Sequence, residues 1–148
     1  AIFLYPSLCL FEGTVMSIGR GTDKPFQVVG HPDVFRDKFT FTPQPTEGAK
    51  NPKLKGELCF GADLRTFGKD YWYEKRQMSL YWLIKYYQQY PRKDEFFTKF
   101  FDQLAGNSTL REQIEAGKTE AEIRAGWQQD LERFKIMRRK YLLYPDFE

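Results

Sequence analysis

Apolar positions in the first half of the chain follow the short periods that are typical of β-strands. Residues 2–11 form a nearly continuous apolar run, interrupted by Pro6, which predicts a strand buried on both faces. A second short strand is predicted at "PFQVVG", residues 25–30. The alternation of Phe and Thr over residues 39–42 predicts a strand with one buried face. After a proline-rich loop, "ELCFGADL" at residues 57–64 predicts a further strand.

From about Lys69 the apolar period lengthens to that of α-helices. The segment "YWYEKRQMSLYWLIKYYQQY", residues 71–90, is apolar around most of a helical circumference and predicts a central helix stopped by Pro91. Asp94 is placed to cap the next helix, which Gly106 ends. The apolar residues of that helix fall at i, i+3, i+4 and i+7, and they are Phe97, Phe100, Phe101 and Leu104.

Two further helix starts carry the spacing of a capping box. Thr109 with Glu112 predicts a short helix that ends at Gly117, and Thr119 with Glu122 repeats the spacing. The last helix stacks four apolar residues about a turn apart, namely Ile123, Trp127, Leu131 and Phe134, and "YLLYPDF" is expected to follow as an extended tail. The whole pattern predicts one α+β domain over residues 1–148, with a mainly antiparallel or mixed sheet from the first half packed by helices of the second.

Charge and composition limit the classes of molecule that this chain is expected to bind. The 23 Lys and Arg are nearly matched by 20 Asp and Glu, for a net charge of +3, so nucleic acid is not an expected partner. The basic run at residues 138–140 lies at the end of a predicted helix, where the negative end of the helix dipole stabilises cations, so the run needs no ligand. Aromatic residues reach 18%, and they either fill the core or form a surface for carbohydrate or a protein partner.

The remaining chemistry-bearing residue types exclude several classes of site. Cys9 and Cys59 have no second Cys or His at metal spacing, and they are either free thiols or a disulfide pair. His31 is the single histidine, which argues against a zinc site and a histidine-dependent triad. No apolar run reaches the length of a membrane span. Because the sequence starts directly in an apolar run without the features of a signal peptide, it is expected to be a fragment of a longer protein.

The segment "FEGTVMSIGRGTD", residues 11–23, is rich in glycine and polar side chains, as phosphate-binding loops are. Gly13 and Gly19 are one residue too far apart for a Walker A loop, an arginine follows instead of lysine, and Pro25 stands where a helix should begin. The dinucleotide pattern fails as well, because Lys24 occupies the third glycine position. A nucleotide-binding loop is therefore excluded.

The same segment suits a carboxylate-based or sugar-binding site. Glu12 is expected at the end of the first strand, either as a catalytic or sugar-binding acid or in a structural salt bridge with Arg20. Arg20, between two glycines, has a guanidinium that could receive a carboxylate bidentately. Neutral hydrogen-bonding groups for sugar hydroxyls are supplied by Ser17, Thr22 and Gln27. An ordered loop held by its own side chains is the alternative. Glycoside hydrolysis needs a second carboxylate, for which the candidates are Asp23, Asp33 and Asp63.

Several segments resemble the exo-β-N-acetylmuramidases of the NamZ type, in order and spacing and over nearly the whole chain. They are "YPSLCLFEGT", "SIGRGTDKPFQVVGHP", "FTP", "NPKLKGELCFG", "FFDQLAGNSTLREQI" and "EAEIRAGWQQDLERFKIMRRKYLLY". The resemblance implies the C-terminal α+β part of a two-part protein whose N-terminal Rossmann-like domain is absent from this chain. In that family the active site lies in the cleft between the two parts, and N-acetylmuramic acid is removed from the non-reducing ends of peptidoglycan chains.

The resemblance also implies the residues of the site and the surroundings of the protein. Glu12 is carried over as catalytic, and the substrate-binding set is Thr14, Ser17, Arg20, Thr22 and Gln27. Val15 departs from the family, which usually has Asn there. No metal or organic cofactor is implied, and the partners are peptidoglycan fragments or muropeptides and the N-terminal domain, in the periplasm or outside the cell. The chain alone is expected to be inactive; the alternative function is a non-catalytic carbohydrate-binding or structural interaction module.

Overall fold

The computed structural model describes residues 1–145 and, within them, every side chain except those at positions 68, 69 and 72. Three strands and a larger set of helices make up an α+β fold, as the sequence predicts. The strands are β1 (Val28–His31), β2 (Phe39–Phe41) and β3 (Cys59–Asp63). The α-helices are α1 (Tyr5–Leu8), α2 (Arg65–Lys75), α3 (Tyr81–Gln89), α4 (Lys93–Phe96), α5 (Phe100–Ala105), α6 (Thr109–Glu115) and α7 (Glu120–Arg138), with 3-10 helices at Cys9–Gly13 and Arg139–Tyr141.

The sheet is antiparallel, with β3 between β1 and β2. Its register pairs Gly30 with Gly61 on one side of β3 and Phe41 with Cys59 on the other. All four residues of β1 are buried, whereas β2 alternates in exposure as an edge strand with one covered face does. The three predicted strands from the middle of the chain are thus confirmed.

The first predicted strand is wrong, because residues 5–13 form α1 and the 3-10 helix that follows it, and residues 2–4 form a turn. Pro6 lies in the first turn of α1, where its missing N–H costs nothing and its fixed φ favours the helix. Leu4, Leu8 and Phe11 lie at i, i+4 and i+7 and are all buried. A short apolar run fits a buried helix and a buried strand equally well, and tertiary packing decides between them.

The predicted central helix over residues 71–90 is two helices. The helical conformation is interrupted between α2 and α3 at Arg76, whose φ is +48°. Backbone amides after the break bind side chains of other elements: Ser79 N–H donates to Ser7 Oγ (2.8 Å), and Leu80 N–H donates to Glu120 Oε1 (3.1 Å). These two bonds anchor the start of α3 to α1 and α7, and α3 ends before Pro91 as predicted.

Two other predicted helix features differ from the structure. Phe97 leaves the helical conformation and forms a β-bridge with Thr14, so that the predicted helix after Asp94 is split into α4 and α5. Asp94 lies inside α4 and does not cap it. The capping box at Thr109 does not form, because α6 starts one residue earlier, whereas the box of Thr119 and Glu122 is present at α7.

Aromatic side chains fill much of the core. Five of them are buried where α3, α4 and α5 meet the first 3-10 helix, namely Phe11, Tyr86, Tyr90, Phe96 and Phe101. Gly13 permits the close approach of α5, because a Cβ there would lie 2.4 Å from the Cα of Phe101. This packing fixes the position of the chain just after Phe11.

After the 3-10 helix at Arg139–Tyr141, the described residues 142–145 have no regular secondary structure. Of the predicted extended tail, Tyr141 belongs to a 3-10 turn, and residues 146–148 lie outside the described residues. Cys9 and Cys59 are free, which settles the alternative that the sequence left open. Among the described helices none is long and apolar enough to cross a bilayer.

Candidate functional site

The polar segment after Phe11 is clamped between the helical part of the fold and the sheet. Glu12 lies in the 3-10 helix Cys9–Gly13, so its expected place at a strand end is wrong. Thr14 bridges to Phe97 at the α4–α5 connection, and Ser17 bridges to Gly30 in β1. The clamped backbone presents the following loop at the surface.

The loop at residues 19–24 is stabilised by its own groups. Gly19 and Gly21 have φ values of +77° and +82°, and a Cβ at Gly19 would lie 2.5 Å from the carbonyl oxygen of Lys24. Thr22 Oγ1 donates to the Gly19 carbonyl (2.7 Å) and accepts the N–H of Lys24 (3.0 Å). The Thr22 hydroxyl therefore shapes the loop around Arg20.

Arg20 forms a two-pronged bond with Glu12. Its Nε and Nη2 both donate to Glu12 Oε1, at 3.0 and 2.6 Å. The guanidinium also lies over the ring of Phe26, 4.9 Å from the ring centroid. The Arg20 side chain is still 48% exposed, so part of the guanidinium faces solvent. The structural salt bridge anticipated from the sequence is present.

Lys53 is a second cation at this site, and sequence reasoning did not single it out. Its Nζ donates to the backbone carbonyls of Thr14 and Glu12. Burial lowers the pKa of Lys53, and the charge of Glu12 acts in the opposite direction. Lys53 lies in the proline-rich loop before β3, about forty residues away in sequence, and no local period connects it with Glu12.

These side chains line a small cavity of about 110 Å³, whose walls are Glu12, Met16, Ser17, Ile18, Arg20 and Lys53. Glu12 is the only carboxylate among the described residues that line it. With two cations and one anion, the lining carries a formal charge of +1. Such a cavity suits an anionic group better than a neutral one.

Other residues assigned to the site from the sequence lie outside this lining or are engaged in the loop. Thr14 is buried; its Oγ1 donates to the Phe11 carbonyl (2.9 Å) and accepts the N–H of Met16 (3.2 Å). Ser17 lines the cavity, but its Oγ accepts the N–H of Gly19 (3.4 Å). Gln27 contributes its backbone carbonyl to Leu64 N–H. Whether these side chains also contact a ligand stays a prediction.

The three candidates for a second carboxylate are all paired with cations elsewhere. Asp23 binds Lys24 (3.1 Å) and Asp63 binds Arg65 (2.8 Å), and in each case that bond lowers the pKa of the aspartate. Asp33 binds Arg92 (2.7 Å). None of the three lines the Glu12–Arg20 cavity. Within residues 1–145 no group of three or more potential metal ligands is found.

Val15, the departure from the family pattern, points to the core rather than to the cavity. It packs against the buried cluster, and its N–H donates to the Phe96 carbonyl (3.0 Å). Position 15 is not part of the lining. Val15 therefore contributes to the packing behind the cavity.

Comparisons with known proteins agree over nearly the whole chain. The family described as "Exo-beta-N-acetylmuramidase NamZ, C-terminal" matches residues 3–144. The peptidoglycan β-N-acetylmuramidase NamZ of Bacillus subtilis (strain 168) is 34% identical over 96% of this chain. A crystal structure of a DUF1343 family protein from Bacteroides fragilis NCTC 9343 has 47% identity and a TM-score of 0.92 over 98% of this chain. The chain spans 37% of the first relative and 41% of the second.

Proposed function

Since this chain belongs to the family of C-terminal domains of the exo-β-N-acetylmuramidase NamZ, we propose that it is the C-terminal part of a peptidoglycan exo-β-N-acetylmuramidase. The Glu12–Arg20 cavity forms one wall of the muramic acid site. The remaining wall comes from the additional polypeptide that the longer relatives carry. From this proposed substrate we infer a location in the periplasm or outside the cell.

The observation that carries this proposal is the pairing of Arg20 with a single oxygen of Glu12 beside Lys53. N-acetylmuramic acid differs from other amino sugars of peptidoglycan by a lactyl group that ends in a carboxylate. The exposed part of the Arg20 guanidinium can bind that carboxylate, and Lys53 adds to the positive field. Glu12 holds the guanidinium in place.

The size of the cavity agrees with the binding of a substituent. At about 110 Å³ it is well below the roughly 300 Å³ at which ligand pockets begin. A lactyl group fits such a volume, whereas a whole sugar ring would extend over the neighbouring surface. The ring would then lie between this wall and the rest of the longer protein.

The chemistry of glycoside cleavage sets the role of Glu12. Retaining and inverting hydrolysis both require two carboxyl groups at the scissile bond. In the described lining Glu12 stands alone and accepts two bonds from Arg20, which suits an electrostatic or orienting role more than proton donation. The acid and the nucleophile or base are then supplied from outside this wall.

A turnover assay on the full-length protein tests the proposal with a chromogenic β-N-acetylmuramide. Arg20→Ala should lower kcat/KM by about 10- to 100-fold, because a hydrogen bond to a charged group contributes roughly 1.5–3 kcal/mol. Arg20→Lys should recover part of the loss. Arg65→Ala is the matched control, since Arg65 is an exposed arginine that pairs with Asp63 and does not line the cavity.

Inhibition by free sugars separates the lactyl contact from a general loss of activity. N-acetylmuramic acid should inhibit the wild-type protein more strongly than N-acetylglucosamine, and Arg20→Ala should remove that difference. Unchanged turnover in both Arg20→Ala and Glu12→Gln would contradict the assigned roles. Binding of muropeptides without any turnover by the wild type would instead favour the non-catalytic carbohydrate-binding module.

A further inference from the structure

Helix α7 carries one line of apolar side chains that begins in the core and continues past it. The line runs at spacings of three and four residues, so its members lie on one face of the helix. Ile123 is fully buried and Trp127 is partly buried. The exposed fraction then rises along the same face, from 43% at Leu131 to 51% at Phe134, 52% at Met137 and 70% at Tyr141.

The direction of α7 is fixed by its first turns. Thr119 and Glu122 close the capping box, and Glu120 Oε1 accepts the N–H of Leu80. Arg124 binds Glu120 and the backbone carbonyl of Met78. The helix is therefore held against the body of the domain at one end, and its second half extends from it.

The second half of α7 has little cover from the described part of the chain. Over residues 128–141 every residue is exposed except Lys135 and Arg138, which are partly buried. Contiguous apolar surface of this kind marks an interaction site. A helix of this length also gains most of its stability in proteins from packing of its apolar face, which here is uncovered.

We propose that residues 127–141, here called the α7 arm, are the docking surface for the additional polypeptide that longer members of this family carry with the domain. The partner surface continues the core packing of Ile123 and Trp127 along Leu131, Phe134 and Met137. This docking does not depend on what the Glu12–Arg20 cavity binds.

The charges of the arm favour this occupant over a second copy of the chain. The arm contains five cations, all within residues 133–141, and two acids, Asp130 and Glu132, which pair with Arg133 and Lys135, so its net charge is +3. Two such arms packed against each other would bring like charges within a Debye length, which opposes self-association. The surface that fits the arm is apolar with a neutral or acidic rim.

The lengths of the relatives favour a partner within the same polypeptide. This chain spans 37% and 41% of the two relatives, so more than half of each lies outside the matched part. Covalent linkage raises the effective concentration of the second surface to the millimolar range or above, so that even a narrow apolar stripe suffices for docking. The arm then holds the two parts in a defined orientation.

Hydrogen exchange in the full-length protein tests the docking. The amides of residues 128–138 should exchange slowly. Their protection should be the same when the protein concentration is varied about 100-fold. Phe134→Glu should speed their exchange by about tenfold or more. Ile136→Glu is the matched control, because Ile136 is 68% exposed on the opposite side of the same helix, and it should leave the protection unchanged.

Three outcomes would overturn the proposal. Fast exchange of these amides in the wild-type full-length protein would show that the arm is uncovered. Protection that appears only at high protein concentration would assign the arm to a second copy. Protection that appears only after addition of phosphatidylglycerol vesicles would assign it to an anionic membrane surface.

Discussion

The buried polar side chains near the cavity form hydrogen bonds with the backbone around them and are not exposed to solvent. The Thr14 hydroxyl bonds to Phe11 and Met16, and Ser17 accepts from Gly19. His31 behaves in the same way: it is 6% exposed, and its Nδ1 accepts the N–H of Asp33 at 3.1 Å. An imidazole nitrogen that accepts a hydrogen bond carries no proton, so the His31 ring in this arrangement is the neutral form.

The protonation of His31 predicts a pH dependence of stability. Burial lowers the pKa of His31, with a smaller opposing effect of Asp33 and a smaller supporting effect of Arg92. Below the unfolded pKa of about 6.5 the unfolded chain binds a proton that the folded domain resists. The contribution of neutral His31 to the free energy of unfolding should therefore be complete above that pH and should decrease as the pH drops below it.

Urea titrations of the domain at several pH values between about 5.5 and about 7.5 measure how the free energy of unfolding changes with pH. His31→Asn is the control, because its amide oxygen can still accept the Asp33 N–H but does not titrate. Its unfolding free energy should be flat over the window. An imidazole pKa at or above the ordinary value in an NMR titration would refute the argument.

At the scale of elements, two identical sequence signals have different outcomes. Thr109 with Glu112 and Thr119 with Glu122 share the same spacing, yet only the second forms a capping box. Before α6, the Asn107 side chain accepts the N–H of Thr109 (2.9 Å), and the helix starts one residue early. Thr109 is therefore the first residue of α6 and not its N-cap, and the N–H of Glu112 donates to the Ser108 carbonyl.

The pair gives a matched test of the capping energy. Thr119→Ala should lower the free energy of unfolding by about 1 kcal/mol, because the N–H of Glu122 loses its acceptor. Thr109→Ala should change it by less than about 0.5 kcal/mol, as for an exposed site without such a role. Chemical denaturation of both variants provides the comparison; equal losses would contradict the different roles.

At the scale of the whole molecule, Asp37 joins the strand part to the helical part. It lies in the β1–β2 connection and accepts the hydroxyl of Tyr86 (2.8 Å) and the ammonium of Lys85 (2.9 Å), both from α3. Tyr86 is fully buried, and both ionised side chains are mostly covered. The three groups thus couple elements that are almost fifty residues apart.

Removal of this carboxylate should be costly. Asp37→Ala leaves the Tyr86 hydroxyl and Lys85 without their acceptor and should lower the free energy of unfolding by about 1.5–3 kcal/mol. Asp130→Ala removes an exposed ion pair with Arg133 and should have almost no effect. Thermal and denaturant unfolding of the two variants distinguish a structural link from an ordinary surface pair.

The sequence by itself determined the elements whose pattern has one physical solution. Alternating Phe and Thr gave the strand β2, Pro91 ended α3, and Thr119 with Glu122 started α7. The pairing of Glu12 with Arg20 was also open to sequence reasoning, since the two opposite charges are only eight residues apart. These features depend on local geometry, which a short segment already contains.

Only the tertiary structure decided the rest. Residues 2–11 are apolar on every side, so their period could not separate helix from strand, and the contacts of Leu8 and Phe11 settled it. Lys53 reached the cavity through a loop that joins distant segments. Long-range contacts of this kind leave no periodic trace in the sequence, because they depend on how completed elements pack against one another.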